Sequence, residues 1–300
     1  MSISRSVLLT SILTTSTDTP FELVYDKTTG WGLESRFSLT RKQRIYVQIS
    51  ECLSDLTDAD FELFCKNFSQ GVSTVHASLK QIQELTKERL EKMGTALRLC
   101  EGLTQLSFSF NNLGALDDVS FERLVEDIAH CRALESLSLV GTNLVSSATE
   151  KHGSSKKRLM GIRKILNWCE NLEELNLALN NLCFANGMAF VELSQVLPRP
   201  TLTTLDLSNN DFKLLESGGL AALGRLWSKF PNLRTLKLSK INLGALSLDE
   251  ITQLGKYLSN FKNLQELELD GNDLANLGLL VGIYAGGNLR SLVCDQYHKV

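Results

Sequence analysis

Apolar positions recur at fixed intervals through the last two-thirds of the 300-residue chain. One copy of the pattern runs Leu172, Leu175, Leu177, Asn180 and Leu182. Its fourth and sixth positions alternate with polar neighbours, so they point to one face of a short strand. The asparagine suits the tight bend after that strand, because its side-chain amide can bond backbone groups that no neighbouring strand reaches. Each copy therefore predicts a short strand with one buried face.

The pattern occurs six times and begins a seventh time near the C-terminus. The copies start at Leu103, Leu134, Leu172, Leu202, Leu233, Leu264 and Leu289. The second and fifth copies replace the asparagine by Thr142 and Ile241. Amphipathic segments lie between the copies, and the one after Ser247 opens with a capping-box pattern. Since one copy cannot bury its apolar face alone, alternating strands and helices predict an α/β stack with a parallel sheet.

The pattern L-x-x-L-x-L-x-x-N-x-L resembles the leucine-rich repeat, and the resemblance covers residues 101–300. With a full helix in each repeat, the chain is similar to the ribonuclease-inhibitor-like subtype. That resemblance implies a curved solenoid with its strands on the concave face and its helices on the convex face. It also implies a protein-binding role without enzymatic activity. The irregular repeats and the atypical N-terminal region resemble leucine-rich-repeat effectors of intracellular bacteria, which implies secretion into a host cytosol.

Residues 1–100 differ from the remainder and predict a mainly helical N-terminal cap. Alternating apolar residues at 21–25 and 33–39 favour a hairpin. Helical spacing then predicts three helices, one after Thr40, one from Thr57, and a long one from Val72 to Leu97. A solenoid needs its first repeat covered, since an open edge would expose the core to water. The alternative is a small adaptor or effector domain.

Composition and cysteine placement narrow the compartment and the partners. The net charge of −3 is too near neutral to attract nucleic acid in general, and the apolar run at 277–285 is too short to span a membrane. Cys100, Cys131 and Cys169 each precede the first leucine of a copy by three residues, which predicts a buried apolar position. The absence of a C-x-x-C pair favours a reducing, intracellular location. A short apolar run at 7–13 favours a buried strand or a tethered end over a signal peptide.

Motifs that carry catalysis are missing from the sequence. It contains no phosphate-binding G-x-x-x-x-G-K-[ST], no G-x-G-x-x-G, no H-E-x-x-H and no G-x-S-x-G. The four histidines have no metal-ligand spacing. We therefore expect a protein that is not an enzyme and holds no cofactor or metal. An enzyme with its site in residues 1–100 is the weakest alternative, since nothing there combines a nucleophile with a base.

The outward-pointing positions of the predicted strands supply the candidate binding residues. They are the second, third, fifth, seventh and eighth positions of each copy. The candidates are Phe110, Glu174, Asn176, Leu179, Asp206, Asn209, Arg234, Lys237, Lys240, Glu266, Glu268 and Asp270. Phe110 and Leu179 are large apolar residues that can anchor an interface, or alternatively pack under an adjacent loop. The charges are predicted to form stripes, acidic in the third and sixth copies and basic in the fifth. A solvated face that balances its own charges is the alternative.

An insertion in the second copy predicts a secondary binding loop. It contains Lys151, His152, Lys156, Lys157 and Arg158. Insertions in repeat proteins map to loops on one face and often bind partners, although a solvated basic loop has the same composition. We expect a monomer whose concave face binds a folded protein, such as an enzyme that it inhibits by covering the active site. The alternative is an adaptor whose N-terminal region recruits a second protein, such as a ubiquitin-ligase component.

Overall fold

The structure, a computed structural model, describes residues 21–25, 45–49, 53–70, 74–79, 81–145, 153–182, 191–212, 217–273, 289–294 and 297–298. Within these ranges eleven strands form one sheet, and their spatial order follows the chain order. Neighbouring strands are parallel except for the last pair, which is antiparallel. Sequential parallel strands joined by helices are the arrangement of a leucine-rich-repeat solenoid. The predicted α/β fold class is confirmed.

The strands of the repeats are short, and helices lie between them. The strands are β1 Phe21–Tyr25, β2 Ile45–Ile49, β3 Thr74–Ser78, β4 Gln105–Ser107, β5 Ser136–Ser138, β6 Glu174–Asn176, β7 Thr204–Asp206, β8 Thr235–Lys237, β9 Glu266–Glu268, β10 Ser291–Cys294 and β11 Tyr297–His298. The helices are α1 Asp58–Gln70, α2 Lys87–Leu99, α3 Asp118–Ala129, α4 Gly153–Trp168, α5 Ser217–Trp227 and α6 Leu248–Leu258. None of these described helices has the length and apolar character needed to cross a membrane.

A single apolar core fills the space between the sheet and the helix layer. The middle residue of each strand from β4 to β9 is a leucine that is at most 3% exposed, and its two neighbours are more accessible. Phe230 and Phe261 fill the position that Cys100, Cys131 and Cys169 fill in earlier repeats, and all five side chains are buried. The predicted role of these cysteines as small apolar residues is confirmed.

Buried asparagines join consecutive repeats where the strands end. Asn180 Oδ1 accepts hydrogen bonds from the backbone N–H groups of Thr142 and Leu144, at 3.0 and 3.3 Å. Its Nδ2 donates to the carbonyl oxygens of Leu139 and Leu177. Asn111, Asn210 and Asn272 make equivalent bonds. The predicted role of the asparagine is therefore confirmed.

The N-terminal elements differ from those predicted. Residues 21–25 form β1, which pairs in parallel with β2, whereas residues 33–39, the second strand of the predicted hairpin, lie outside the described residues. The helix predicted after Thr40 is also wrong, because residues 45–49 form a strand. The long third helix is split into β3, a single 3-10 turn at Ile82–Glu84, and α2. The helix predicted from Thr57 is confirmed as α1. The predicted strand at 7–13 lies outside the described residues.

The sheet and the helix layer continue across residue 100. Strand β3 pairs with β4, and the backbone N–H of Leu79 donates to the carbonyl oxygen of Ser107 at 2.9 Å. Helix α2 packs against both α1 and α3. The N-terminal strands thus extend the same surface as the leucine-rich copies. A role for residues 1–100 as a cap or adaptor, and a domain boundary at residue 100, stay predictions.

Candidate partner-binding face

The fifth position of each copy forms a continuous row on the outer face of the sheet, here called the central row. The strand register places these residues side by side in the order Ser107, Ser138, Asn176, Asp206, Lys237, Glu268. Each is partly accessible, because its side chain points away from the buried leucines beside it. The structure therefore brings four of the predicted binding residues together in one line.

Polar contacts along the charged half of the central row balance its charges. Asn176 Nδ2 donates to Asp206 Oδ2 at 3.1 Å, and Asp206 Oδ1 accepts from the Ser208 backbone N–H. The Lys237 ammonium lies 2.7 Å from Glu268 Oε1. The hydrogen bond from Lys237 to Glu268, together with the negative charges of Glu268 and Asp206, raises the pKa of Lys237. Part of the predicted charge pattern thus consists of internally paired groups.

The other half of the central row is uncharged and carries short side chains. Ser107 Oγ lies 2.9 Å from Ser109 Oγ, which lies 2.8 Å from Ser138 Oγ. The three hydroxyls form a chain across two repeats. Across β4 and β5 the central row therefore carries only short polar side chains.

A second row lies at the third position and contains two of the predicted acidic residues. Glu174 accepts a hydrogen bond from Ser136 Oγ, and Glu266 accepts one from Thr235 Oγ1, both at 3.1 Å. Arg234, one position earlier, is exposed, and its carbonyl oxygen accepts from two N–H groups of the next repeat. These residues lie on the predicted face, and their role as partner contacts stays a prediction.

The eighth position of each copy forms a third row along the sheet edge where the strands end, here called the ridge. It consists of Phe110, Gly141, Leu179, Asn209, Lys240 and Gly271, with backbone φ values from 55° to 69°. Left-handed backbone is common for glycine and asparagine but costs roughly 1 kcal/mol for other residues. Phe110, Leu179 and Lys240 therefore keep a conformation that their side chains disfavour.

Hydrogen bonds keep the ridge residues at strand spacing. Each N–H from Phe110 to Lys240 donates to the seventh-position carbonyl of the next repeat, at 2.7 to 3.0 Å. The last of these acceptors is Asp270, a predicted site residue that is half-buried. The ladder of the sheet thus continues through the ridge.

Two ridge glycines lie beneath the side chain of the preceding repeat. A Cβ on Gly141 would lie 2.9 Å from the Phe110 ring, and one on Gly271 would lie 2.5 Å from Cγ of Lys240. Phe110 is nevertheless 72% exposed, and Leu179 is 44% exposed. The alternative in which these apolar residues pack under a described loop is therefore wrong for Phe110.

The predicted basic loop is only partly described. Lys151 and His152 lie outside the described residues, whereas Lys156, Lys157 and Arg158 belong to helix α4. Lys156 pairs with Glu192 at 3.1 Å and Lys157 with Asp118 at 2.5 Å. Their assignment to a loop is wrong, since the helix begins at Gly153.

Arg158 cannot contribute to an exposed basic surface. Its side chain is 3% exposed, it donates to the carbonyl oxygen of Leu116, and its guanidinium lies 4.2 Å from the centre of the Phe121 ring. Arg158 therefore fastens α4 to the preceding repeat. Within the described residues, no cluster of histidine, cysteine, aspartate or glutamate could hold a metal ion.

Similarity to known proteins is found among solved structures. No protein-family model matches the sequence, and no curated protein matches it. Among solved structures, the leucine-rich repeat-containing protein LegL7 from Legionella pneumophila is 17% identical, with a TM-score of 0.49 over 94% of this chain and 92% of that one.

Two shorter structures match part of the chain. The tropomodulin C-terminal domain from Caenorhabditis elegans is 12% identical, with a TM-score of 0.41 over 58% of this chain and 91% of that one. Leiomodin-1 actin-binding site 2 is 15% identical, with a TM-score of 0.40 over 54% of this chain and 85% of that one. These likenesses carry no information about function.

The sequence contains a signal for the left-handed backbone of the ridge, although the leucine spacing alone does not reveal it. Gly141, Asn209 and Gly271 share the eighth position, and these residue types favour positive φ. A further signal marks the N-terminal repeats, where helix starts recur at Thr57, Thr86 and Asp117. In the register of the sheet, Tyr46 of β2 pairs with His76 of β3, and His76 pairs with Gln105 of β4. The candidate face therefore extends further than the leucine ladder indicates.

Proposed function

We propose that this protein is a non-enzymatic binding module that engages a folded protein through the outer face of its sheet, with the ridge as the main anchor. The observation that carries the proposal is the state of Phe110. Phe110 has a left-handed backbone, and its aromatic side chain is mostly exposed to water. Gly141 shows that the fold accepts glycine at the same position of the repeat. Backbone strain retained at such a cost is typical of functional sites.

The outer face of the sheet combines exposed apolar side chains, which can anchor a partner, with paired polar groups beside them. Exposed aromatic residues contribute most to binding energy when a partner covers them, whereas paired charges contribute specificity. The Lys237–Glu268 pair and the Asn176–Asp206 bond supply fixed polar groups beside the ridge. We infer that the central row orients the partner and that Phe110 and Leu179 hold it.

The experiment compares partner capture by the full chain and by its Phe110→Gly, Leu179→Gly variant. Both changes replace a left-handed residue with glycine, so we expect the fold to stay intact and to gain about 1 kcal/mol of stability. Proteins that the wild type captures from host lysate should be lost by the variant, as quantified by mass spectrometry. The control is Trp168→Ala, which removes an exposed aromatic residue at the end of α4. Equal capture by all three chains would refute the proposal.

We further propose that the module belongs to the ribonuclease-inhibitor-like subtype, acts in a reducing cytosol as a secreted bacterial effector, and blocks an enzyme by covering its active site. Long helices between strands support the subtype. Five free, buried cysteines in the described residues support the compartment. Saturating a captured enzyme with this protein tests the inhibitory role, and an enzyme that keeps its full activity would exclude it.

A further inference from the structure

We propose that the ridge receives an α-helix of the partner, laid across the repeats. The helix would present apolar side chains at two positions seven residues apart, facing Phe110 and Leu179, and an acidic side chain seven residues further on, facing Lys240. This inference rests on the proposed function of the ridge and names the class of partner segment that fits it.

The spacing of the ridge favours a helix over an extended chain. Phe110, Leu179 and Lys240 occupy every second rung of the hydrogen-bonded ladder. Rungs are about 4.8 Å apart, so successive anchors are about 10 Å apart. Seven residues of an α-helix rise about 10.5 Å and return to nearly the same face. In an extended chain, residues on one face repeat at about 6.6 Å and 13 Å, so neither interval matches.

Charge along the ridge sets the order of the partner's side chains. Phe110 and Leu179 are apolar and exposed. Lys240 is exposed, and within the described ranges it is found in no ion pair, whereas Lys237 pairs with Glu268. An acid on the partner would complement Lys240, since opposite charges across an interface set its register. The order of residues along the ridge therefore favours a partner helix with two apolar side chains followed by an acidic one.

Surroundings of the ridge leave room for a helix. Beside Phe110 the central row carries only the short hydroxyl side chains of Ser107 and Ser138. Gly141 adds no side chain to the rung between Phe110 and Leu179. The rung between the two apolar anchors thus carries no side chain of its own, and the Phe110 ring lies over it.

The test uses a displayed library of random 20-residue peptides, selected on the full chain. Counter-selection uses the Phe110→Gly, Lys240→Glu variant, and Trp168→Ala serves as the matched control. We expect ridge-dependent peptides with apolar residues at i and i+7 and an acid at i+14. Their affinity, measured by fluorescence anisotropy, should fall at least tenfold when a central residue becomes proline. On Lys240→Glu, the preference at i+14 should change from acidic to basic.

Two results would overturn the inference, and only the second would also refute the proposed function of the ridge. Ridge-dependent peptides that tolerate the central proline, or that repeat their apolar residues every second position, would show that the partner segment is extended. The ridge would then keep its proposed function and lose the helix. If no selected peptide depends on Phe110 or Lys240, the helix and the proposed function both fall.

Discussion

At the scale of single residues, the asparagine ladder shows how one side chain stabilises two repeats. The Asn180 amide bonds backbone groups of its own repeat and of the preceding one, all of them buried. A buried backbone group without a partner costs about 1–3 kcal/mol. The buried asparagines therefore link the bends of neighbouring repeats, in addition to the sheet that links their strands.

Replacing Asn180 should be among the most damaging polar substitutions in the chain. Asn180→Ala leaves at least two N–H groups and two carbonyl oxygens without a side-chain partner, so we expect a loss of about 3 kcal/mol or more. The free energy of unfolding in urea measures it. The control is Asn171→Ala, which removes one exposed bond to the carbonyl oxygen of Arg132 and should cost under about 1 kcal/mol. Equal losses would contradict this account.

Asp127 is a buried carboxylate that lacks a full set of partners. Its side chain is 3% exposed, Oδ2 receives no hydrogen bond, and Arg98 and Arg123 lie only within 3.9 and 4.0 Å. Burial raises its pKa, against the lowering effect of those arginines. Its raised pKa means that the folded state keeps this proton at pH values where the unfolded chain has lost it. The associated stability is present in acid and declines as the pH rises through the folded-state pKa.

Asp127→Asn should therefore stabilise the protein near neutral pH, because it removes a charge that the site disfavours. We expect a gain on the order of 1 kcal/mol at pH 7 that disappears below the ordinary aspartate pKa. Thermal unfolding of both chains between pH 3 and 8 measures it. Asp249→Asn, at an exposed site in α6, serves as control and should stay within about 0.5 kcal/mol. A gain that is largest in acid would reverse the assignment.

Residue-level roles were predictable where a pattern repeats and the surroundings are simple. The asparagines and the buried cysteines followed from their fixed place in each copy. The left-handed backbone along the ridge was not predictable. Gly141 and Gly271 are typical of positive φ, but Phe110, Leu179 and Lys240 at the same position are not. The burial of Arg158 was also hidden, since a basic run in a sequence does not reveal that Phe121 lies beneath it.

At the scale of elements, close packing of helices α5 and α6 depends on a missing side chain. The Tyr257 ring of α6 lies against Gly224 of α5, and a Cβ on Gly224 would come within 2.5 Å of the ring. Protein interiors are dense enough that one added methyl group forces a shift. This glycine therefore sets the distance between the two helices.

Gly224→Ala should separate the helices despite the better helix propensity of alanine. Overpacking costs about 1–3 kcal/mol, against about 1 kcal/mol gained from propensity. We expect a net loss, measured by chemical unfolding. In a Tyr257→Leu background the same substitution should become neutral or stabilising, because the ring is gone. A loss of equal size in both backgrounds would show that Tyr257 is not the cause.

Strands β4 to β9 were predictable, because leucines fill their repeating positions from residue 103 onwards. The helix from Thr57 was predicted, but strands β2 and β3 were missed, because Val47 and Ala77 take the fourth-position register and Ile82 follows β3 in place of an asparagine bend. Val72, Val75 and Leu79 also fall at helical spacing, so local periodicity favoured a helix. Residues 74–78 form a strand instead, because they pair with β4, and a single sequence does not reveal that pairing.

At the scale of the whole molecule, each described strand of the sheet bonds only to the strands next to it in the chain. In such a stack, stability is approximately the sum of repeat and nearest-neighbour terms. Damage to one repeat should therefore stay close to that repeat. The charged and apolar features of the binding face are distributed along the same axis.

Leu205→Ala in β7 should show this locality. Removing a buried leucine costs about 2–5 kcal/mol, and the effect should concentrate in β6, β7 and β8. Hydrogen exchange with mass spectrometry measures protection in each repeat. The control is Thr204→Ala, on the accessible side of the same strand, which should change protection little. Uniformly faster exchange along the chain would instead indicate one all-or-none unit.

Three consecutive repeats each carry a thiol at the same buried position at the end of a helix. Burial raises the pKa of Cys131 strongly and that of Cys169 to about 12, so these thiols stay protonated and inert while their repeats are closed. Alkylation of Cys100, Cys131 and Cys169 therefore requires opening of the repeat that contains each one. The rates at which the three sites are alkylated would therefore map where along the stack the molecule first opens.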